Sequence, residues 1–172
     1  MNNFSSRRLR LWECAMLFAF SLTLVTGVWA AGSQSALADK VVRLHVIANS
    51  DSDADQALKL RVRDAVLAEA EELFVPGAGR AETEELLRAH LYDLAAAGAE
   101  VVGEAGYSYP VTASLVHDYW FPPKTYTDFA LPAGAYTALR IEIGAGGGQN
   151  WWCVVFPPLC LGSVSEDRKS VV

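Results

Sequence analysis

Positive charge is scarce in this 172-residue chain, and its one basic cluster lies at the N-terminus. Fourteen Lys and Arg stand against twenty Asp and Glu, so the net charge at pH 7 is −6. Nucleic-acid binding needs clustered Lys and Arg to neutralise phosphates, and this balance therefore argues against a nucleic-acid partner. At 52% hydrophobic and 20% charged residues, the chain is also too apolar to be disordered.

Sequence motifs of common enzymes are absent as well. The chain contains no G-x-S-x-G elbow and no H-E-x-x-H helix, which mark two large classes of hydrolase. Cys153 and Cys160 do not have the spacing of a zinc site. We therefore predict no catalytic residues, cofactor, metal or small-molecule substrate. An exported thiol-dependent enzyme that uses Cys153 or Cys160 is the alternative.

The glycine-rich residues 144–149 (GAGGGQ) do not form a nucleotide-binding motif. A phosphate cradle needs backbone N–H groups that converge at a helix N-terminus, usually with a Lys-Ser or Lys-Thr pair. No helical pattern follows this segment. The sequence instead predicts a hairpin connection between two strands.

The N-terminal segment has the layout of an export signal. Arg7, Arg8 and Arg10 precede an apolar run over residues 14–31 (CAMLFAFSLTLVTGVWAA), and Ala-Leu-Ala at residues 36–38 has the form of a cleavage site. We predict a signal peptide over residues 1–38. The alternative is an uncleaved anchor that contacts the membrane only through residues 11–31 and leaves an extracytoplasmic domain.

The remainder of the chain has a different composition. Without residues 1–38 it carries 11 basic and 19 acidic residues, a net charge of −8. The mean hydropathy of +0.18 for the whole chain therefore owes much to the apolar N-terminal run. We predict one exported domain over residues 39–162, followed by a flexible polar tail over residues 163–172.

Hydrophobic periodicity predicts an α+β fold for this domain. Alternating residues indicate a strand over residues 41–48 with one face buried, and apolar residues at i, i+3 and i+4 indicate a helix over 54–74. A second helix is expected from about residue 82 to the region 98–106. Alternating runs over 109–120, 135–144 and 151–156 complete a β-α-α-β-β-β order. We expect a mostly antiparallel sheet with two helices packed on one face.

Two segments stand out as candidate contact surfaces. Asp51, Asp53 and Asp55 resemble a calcium loop, but Gln56 and Val62 replace the Gly and Glu that an EF-hand requires. The aspartates suit a helix N-cap, and an exposed acidic turn can also contact a partner. Trp151 and Trp152 are adjacent in a strand and must point to opposite faces, so one can enter the core while the other is exposed.

The two exported cysteines form a candidate disulfide. An even number of cysteines outside the cytoplasm favours pairing. Pro157 and Pro158 bend the chain between them, which can return Cys160 to Cys153. Loop-closure entropy predicts that such a small ring stabilises the fold by about 2–3 kcal/mol.

Two blocks of sequence resemble the stage II sporulation protein R family. The first covers residues 43–56 (RLHVIANSDSDADQ) and 59–66 (KLRVRDAV). The second comprises residues 132–136 (PAGAY), the glycine-rich loop, and residues 150–154 (NWWCV) and 156–160 (FPPLC). The blocks fall in the right order and flank the exported domain.

The resemblance implies a signalling function and not catalysis. Members of the family are secreted from the forespore into the space between the two membranes. There they activate a membrane-embedded aspartic-type protease, which processes a sigma-factor precursor in the mother cell. The candidate contacts with this partner are Asn49, Asp51, Asp53, Asn150, Trp151 and Trp152.

Overall fold

The computed structural model describes residues 3–126 and 130–158, and within the first helix it describes the side chains of residues 10–27 and 37–38 only. The predicted tail and Cys160 lie outside these residues. Contacts divide the chain into two units, Met1–Leu37 and Ala38–Val172. Helix α1, Asn3–Ala38, makes up the first unit. None of the helices in the described ranges is long and apolar enough to cross a membrane.

The second unit is a single α+β domain, as predicted. Its helices are α2 (Asp53–Glu72), α3 (Arg80–Ala89) and α4 (Leu91–Glu104). Its strands are β1 (Val42–Ile47), β2 (Val111–Phe121), β3 (Lys124–Thr125), β4 (Ala130–Leu131), β5 (Gly134–Ile143) and β6 (Asn150–Phe156). The short β3–β4 pair, which the sequence did not predict, forms a separate two-stranded sheet.

The main sheet has the strand order β2-β5-β1-β6. Strand β5 pairs antiparallel with β2 and parallel with β1, while β6 pairs antiparallel with β1. Two of the three pairings are therefore antiparallel, as expected. Strand β1 lies in the centre of the sheet although it is the first strand of the chain.

The helices cover one face of the sheet, which we call the helix face. Alternate residues of the strands point to it and pack with apolar residues of the helices. The core on this side is almost entirely aliphatic. Its fully buried members include Val42, Leu44, Val46, Val62, Val66, Leu87, Leu94, Leu139 and Ile141.

The prediction that β1 has only one buried face was wrong. All six of its residues are buried, including Arg43 and His45 on the face opposite the helices. We call this second face the open face, because α2, α3 and α4 pack on the other side. Aromatic rings from β2, β5 and β6 cover the β1 side chains there. Alternation within β1 could not predict this cover, because the rings come from strands that are distant in sequence.

The predicted second helix is two helices that meet at His90. The His90 ring lies 2.8 Å from the Leu86 carbonyl oxygen through Nδ1, and its backbone leaves the helical region (φ −111°, ψ 20°). Leu87 and Leu94 are both fully buried and lie seven residues apart. The apolar period therefore continues across His90, and for this reason the sequence does not reveal the break between α3 and α4.

The prediction of a hairpin at the glycine-rich loop was also wrong. Strands β5 and β6, which the loop connects, are not neighbours, because β1 lies between them. The loop instead crosses the end of β1. Its backbone hydrogen-bonds to the chain that leaves β1, from Gly147 N to Asn49 O (3.2 Å) and from Gly148 N to Ala48 O (2.9 Å). We call residues 144–149 the crossing loop.

Candidate functional site

The acidic turn between β1 and α2 is a capped helix start. Ser52 is the N-cap of α2, and its hydroxyl accepts a hydrogen bond from the Asp55 N–H (3.2 Å). Asp53 and Asp55 lie in the first helical turn, where carboxylates complement the helix dipole. The prediction that the aspartates suit the N-cap position was therefore wrong, since Ser52 is the cap, whereas the expected complement to the helix dipole agrees with the positions of Asp53 and Asp55. Among the residues that the structure describes, no group of His, Cys, Asp or Glu has a metal-binding arrangement.

Asp55 holds the turn together from within. It is 4% exposed, and its carboxylate accepts hydrogen bonds from Ser50 Oγ (2.5 Å) and Asn49 Nδ2 (2.8 Å). These two donors, Ser50 first, lower the pKa of Asp55 because they stabilise its charged form. The carboxylate therefore fixes the residues that precede it.

The crossing loop closes on the same turn. Asn49 Oδ1 accepts a hydrogen bond from Ala145 N (3.0 Å), in addition to the bonds between the two backbones. A Cβ atom at Gly148 would overlap the Ser50 carbonyl oxygen, and one at Gly144, where φ is +59°, would overlap the Asn49 side chain. Glycine is required at both positions by the close approach of the two segments.

Helix α2 adds a third contact to this junction. Lys59 is 5% exposed and donates hydrogen bonds to the Gln149 carbonyl (3.0 Å) and to Gln56 Oε1 (2.6 Å). Gln56 Nε2 in turn donates to the Ser50 carbonyl (2.8 Å). Burial lowers the pKa of Lys59, and the charge of Asp51 opposes the shift. Lys59 and Gln56 position the turn, a role that their place in a helical pattern did not reveal.

Strand β6 begins beside the same junction, and its first residues point in alternate directions. Trp151 lies opposite Val46 on the helix face, where Arg63 stacks on its ring at 4.4 Å. Trp152 lies opposite His45 on the open face, with 6.1 Å between the ring centroids. Asn150 Oδ1 is 2.7 Å from His45 Nε2. Trp152 is therefore the tryptophan that faces away from the helices.

The structure brings all six predicted contact residues to one end of the sheet. The turn follows the carboxyl end of β1, and β6 starts opposite that end, with Asn150 paired to Ile47. Asp51, Asp53 and Asn150 are exposed, whereas both tryptophans are half-buried. Asn49 uses its side chain within the junction. The role of these six residues as partner contacts stays a prediction.

Comparison with known proteins identifies the family. Residues 38–166 match the family of stage II sporulation protein R. The chain belongs to the stage II sporulation protein R family. A relative of that name from Bacillus subtilis (strain 168) is 38% identical over 122 residues, which cover 71% of this chain and 54% of the relative. The chain thus spans about half the length of that relative. No solved structure matches it.

The part that matches the stage II sporulation protein R family begins where the second unit begins. The match starts at residue 38, and the second unit starts at Ala38. The turn, the crossing loop and β6 all lie inside the match. The resemblance that those segments carried is therefore confirmed at the level of the family, and the protein is a sporulation protein.

Within this family fold, Cys153 belongs to the core. It is 1% exposed, on the helix face opposite Leu44, and it is disulfide-bonded. Its predicted partner Cys160 lies outside the described residues, so the pairing stays a prediction. A buried, oxidised sulfur does not offer the thiolate that nucleophilic catalysis requires, and this geometry does not favour the thiol-enzyme alternative.

A second polar cluster, which sequence reasoning missed, ties α3 to the sheet. Glu84 is 3.3 Å from Arg80, 3.2 Å from Arg88 and 3.2 Å from the His117 ring. Arg80 also donates to Thr137 Oγ1 at 2.8 Å. A cavity of about 300 Å³ opens beside Arg80, His117 and Thr137. The i,i+4 spacing of Arg80, Glu84 and Arg88 was visible in the sequence, but their contacts to β2 and β5 depend on the fold.

Proposed function

We propose that this chain is an exported signalling protein of sporulation that activates a membrane-embedded aspartic-type protease. The protease then processes a sigma-factor precursor in the mother cell. In this proposal residues 1–38 direct export from the forespore, and the domain that follows acts in the space between the two membranes. The name of the relative and the match to its family support a role in this pathway.

The observation that carries the proposal is the rigid surface at the carboxyl end of β1. Asp51 and Asp53 are exposed on a turn that internal hydrogen bonds hold in place. Trp152 lies nearby on the open face of β6. Exposed polar groups on a fixed loop beside a large aromatic side chain suit recognition of another protein. We call Asp51, Asp53 and Trp152 the contact surface.

Co-expression with the candidate protease and the sigma-factor precursor in a non-sporulating host tests the proposal. We expect precursor cleavage that depends on this chain. The double variant Asp51→Asn, Trp152→Ala should lower the amount of cleaved precursor about 10-fold or more, because central aromatic contacts dominate such interfaces. Tyr92→Ala is the matched control, since Tyr92 is an 83% exposed aromatic residue on α4, outside the contact surface.

Cleavage that proceeds without this chain would reject the activator function. Full cleavage with a folded double variant would reject the contact surface but not the function. Sequencing the N-terminus of the exported protein tests the localisation. A start at Asp39 supports a cleaved signal, whereas an intact N-terminus would contradict release into the intermembrane space.

A further inference from the structure

Polar atoms without partners gather on the open face of the sheet. Three side chains there carry buried nitrogen atoms that have no hydrogen-bond partner among the described residues, namely His45, Arg140 and Trp152, and Arg43 beside them interacts with the Tyr126 side chain. Leaving a buried donor unpaired costs about 1–3 kcal/mol, and more when it is charged. When several such groups lie on one face, we expect a binding partner to provide their hydrogen-bond acceptors.

The strand register places three of these side chains side by side. His45 on β1 lies opposite Arg140 on β5 and opposite Trp152 on β6. Adjacent strands are about 4.8 Å apart, so the three side chains form one continuous row across the sheet. We call Arg140, His45 and Trp152 the open-face row.

The unpaired atoms of the row are mainly donors. Arg140 Nε and Trp152 Nε1 each carry a hydrogen that no acceptor receives within the described ranges. His45 Nε2 donates to Asn150 Oδ1, so its unpaired Nδ1 is the one acceptor of the row. Arg140 and Trp152 are half-buried as residues, whereas their unpaired donor atoms are themselves buried.

Arg43 also places a buried charge on the open face. It lies two residues before His45, is 0% exposed and forms no salt bridge in the described part of the chain, although its guanidinium interacts with the Tyr126 side chain. Its guanidinium lies over the rings of Phe121 (4.1 Å) and Tyr136 (5.1 Å). Arg140 is paired with Glu142 at 2.8 Å. Among the described residues of this face, Arg43 is therefore a cation without a carboxylate partner, and burial lowers the pKa of His45, which disfavours a second positive charge there.

We propose that the open-face row binds an aspartate or glutamate side chain of the partner protein, whose carboxylate accepts hydrogen bonds from Arg140 and Trp152. A carboxylate accepts hydrogen bonds only and carries the complementary charge. The identity of the partner rests on the proposed function, whereas the chemistry of the row rests on the unpaired donors. Trp152 belongs both to this row and to the contact surface, so the two are continuous.

Nuclear magnetic resonance of the full-length chain in detergent micelles tests the carboxylate site directly. The probe is acetyl-Gly-Glu-Gly-amide, and its matched control is acetyl-Gly-Gln-Gly-amide. The readout is the indole N–H signal of Trp152, which is assigned by its loss in Trp152→Phe. We expect a saturable downfield shift with the glutamate peptide, which should bind about 10-fold or more tightly than the glutamine peptide.

Two arginine variants sharpen this test. Arg140→Gln should weaken binding of the glutamate peptide about 10-fold or more, because it removes the charged donor of the row. Arg61→Gln should leave binding unchanged. Arg61 is on α2, has a 53% exposed side chain and pairs with Glu104, on the side of the sheet away from the row.

Equal binding of the two peptides, no shift of the Trp152 signal, or full binding by a folded Arg140→Gln variant would each overturn the carboxylate site. Chain-dependent precursor cleavage together with any of these results would reject the row and retain the proposed function. Selective peptide binding without precursor cleavage would reject the proposed function and retain the row.

Discussion

The helix face and the open face of the central strand are equally buried, but they differ in chemistry. On the helix face Leu44 and Val46 belong to a cluster of buried, mostly aliphatic side chains. On the open face Arg43 and His45 lie among aromatic rings, and His45 keeps Nδ1 unpaired. Burial alone therefore does not reveal what a residue contributes. The helix face has the composition of a stabilising core, whereas the open face retains polar groups that lower stability and can serve recognition.

The largest expected effect is on the helix face. Leu44→Ala should lower the free energy of unfolding by about 2–5 kcal/mol, because it leaves a cavity in a packed aliphatic core. Denaturant titration measures the change. Val75→Ala, at a 51% exposed position, should change it by less than about 0.5 kcal/mol. A small loss in Leu44→Ala would contradict the assignment of this face as the main source of stability.

The next effect concerns the crossing loop that joins the two faces at the end of β1. Gly148→Ala should destabilise the domain by about 1–3 kcal/mol, because the new Cβ would overlap the Ser50 carbonyl oxygen and must displace it. Gly147→Ala is the matched control. Its Cβ would lie 3.4 Å from the Asn49 carbonyl oxygen, so only a small adjustment is needed. Equal stability of the two variants would show that the loop is not closely packed on the turn.

Asp55 is expected to make stability depend on acid pH. Its pKa is lower in the folded than in the unfolded chain, so its contribution is complete above the unfolded value and is lost as the pH falls through the folded value. Asp55→Asn should lower the thermal midpoint at pH 7 by about 3–6 °C. The midpoint of this variant should also decrease less than that of the unmodified chain when the pH is lowered. Asp51→Asn, at an exposed position, should keep the acid dependence. Thermal unfolding at several pH values distinguishes the two.

The smallest effect on stability is expected on the open face. Arg43→Met removes a cation–π contact of up to about 2 kcal/mol but also removes a buried charge whose desolvation opposes folding by several kcal/mol. The free energy of unfolding should therefore stay the same or rise. A loss of more than about 2 kcal/mol in Arg43→Met would mean that both faces stabilise the fold alike, and the contrast between them would fail.

Much of this fold was predictable from periodicity, because periodicity reflects local geometry. Alternation located β1, β2, β5 and β6, and it assigned Leu139 and Ile141 to the buried face. The same signal did not reveal that β1 is central, because strand order depends on pairings between residues far apart in sequence. Tyr136, which alternation places on the outer face, is 3% exposed because it packs against Phe121 and Arg43 on the open face.

The candidate site was predictable in its residue types but not in its geometry. The Asn-Ser-Asp turn and the tryptophan pair were recognisable, and the fold brings them together at one end of the sheet. Whether Trp151 or Trp152 is outward depended on the register of β6 with β1. The role of Gly148 was hidden because the chain it approaches, at Ser50, is distant in sequence.

The central position of β1 bears on how the domain reaches its folded state. This strand is made first, yet its neighbours β5 and β6 are the last two strands in the described part of the domain, and Val42 pairs with Phe156. The sheet therefore cannot close until nearly all of the chain has been synthesised, and such long-range pairing slows folding. The export that we propose for this chain would benefit from this delay, because the topology itself postpones the formation of a structure too wide to cross a membrane.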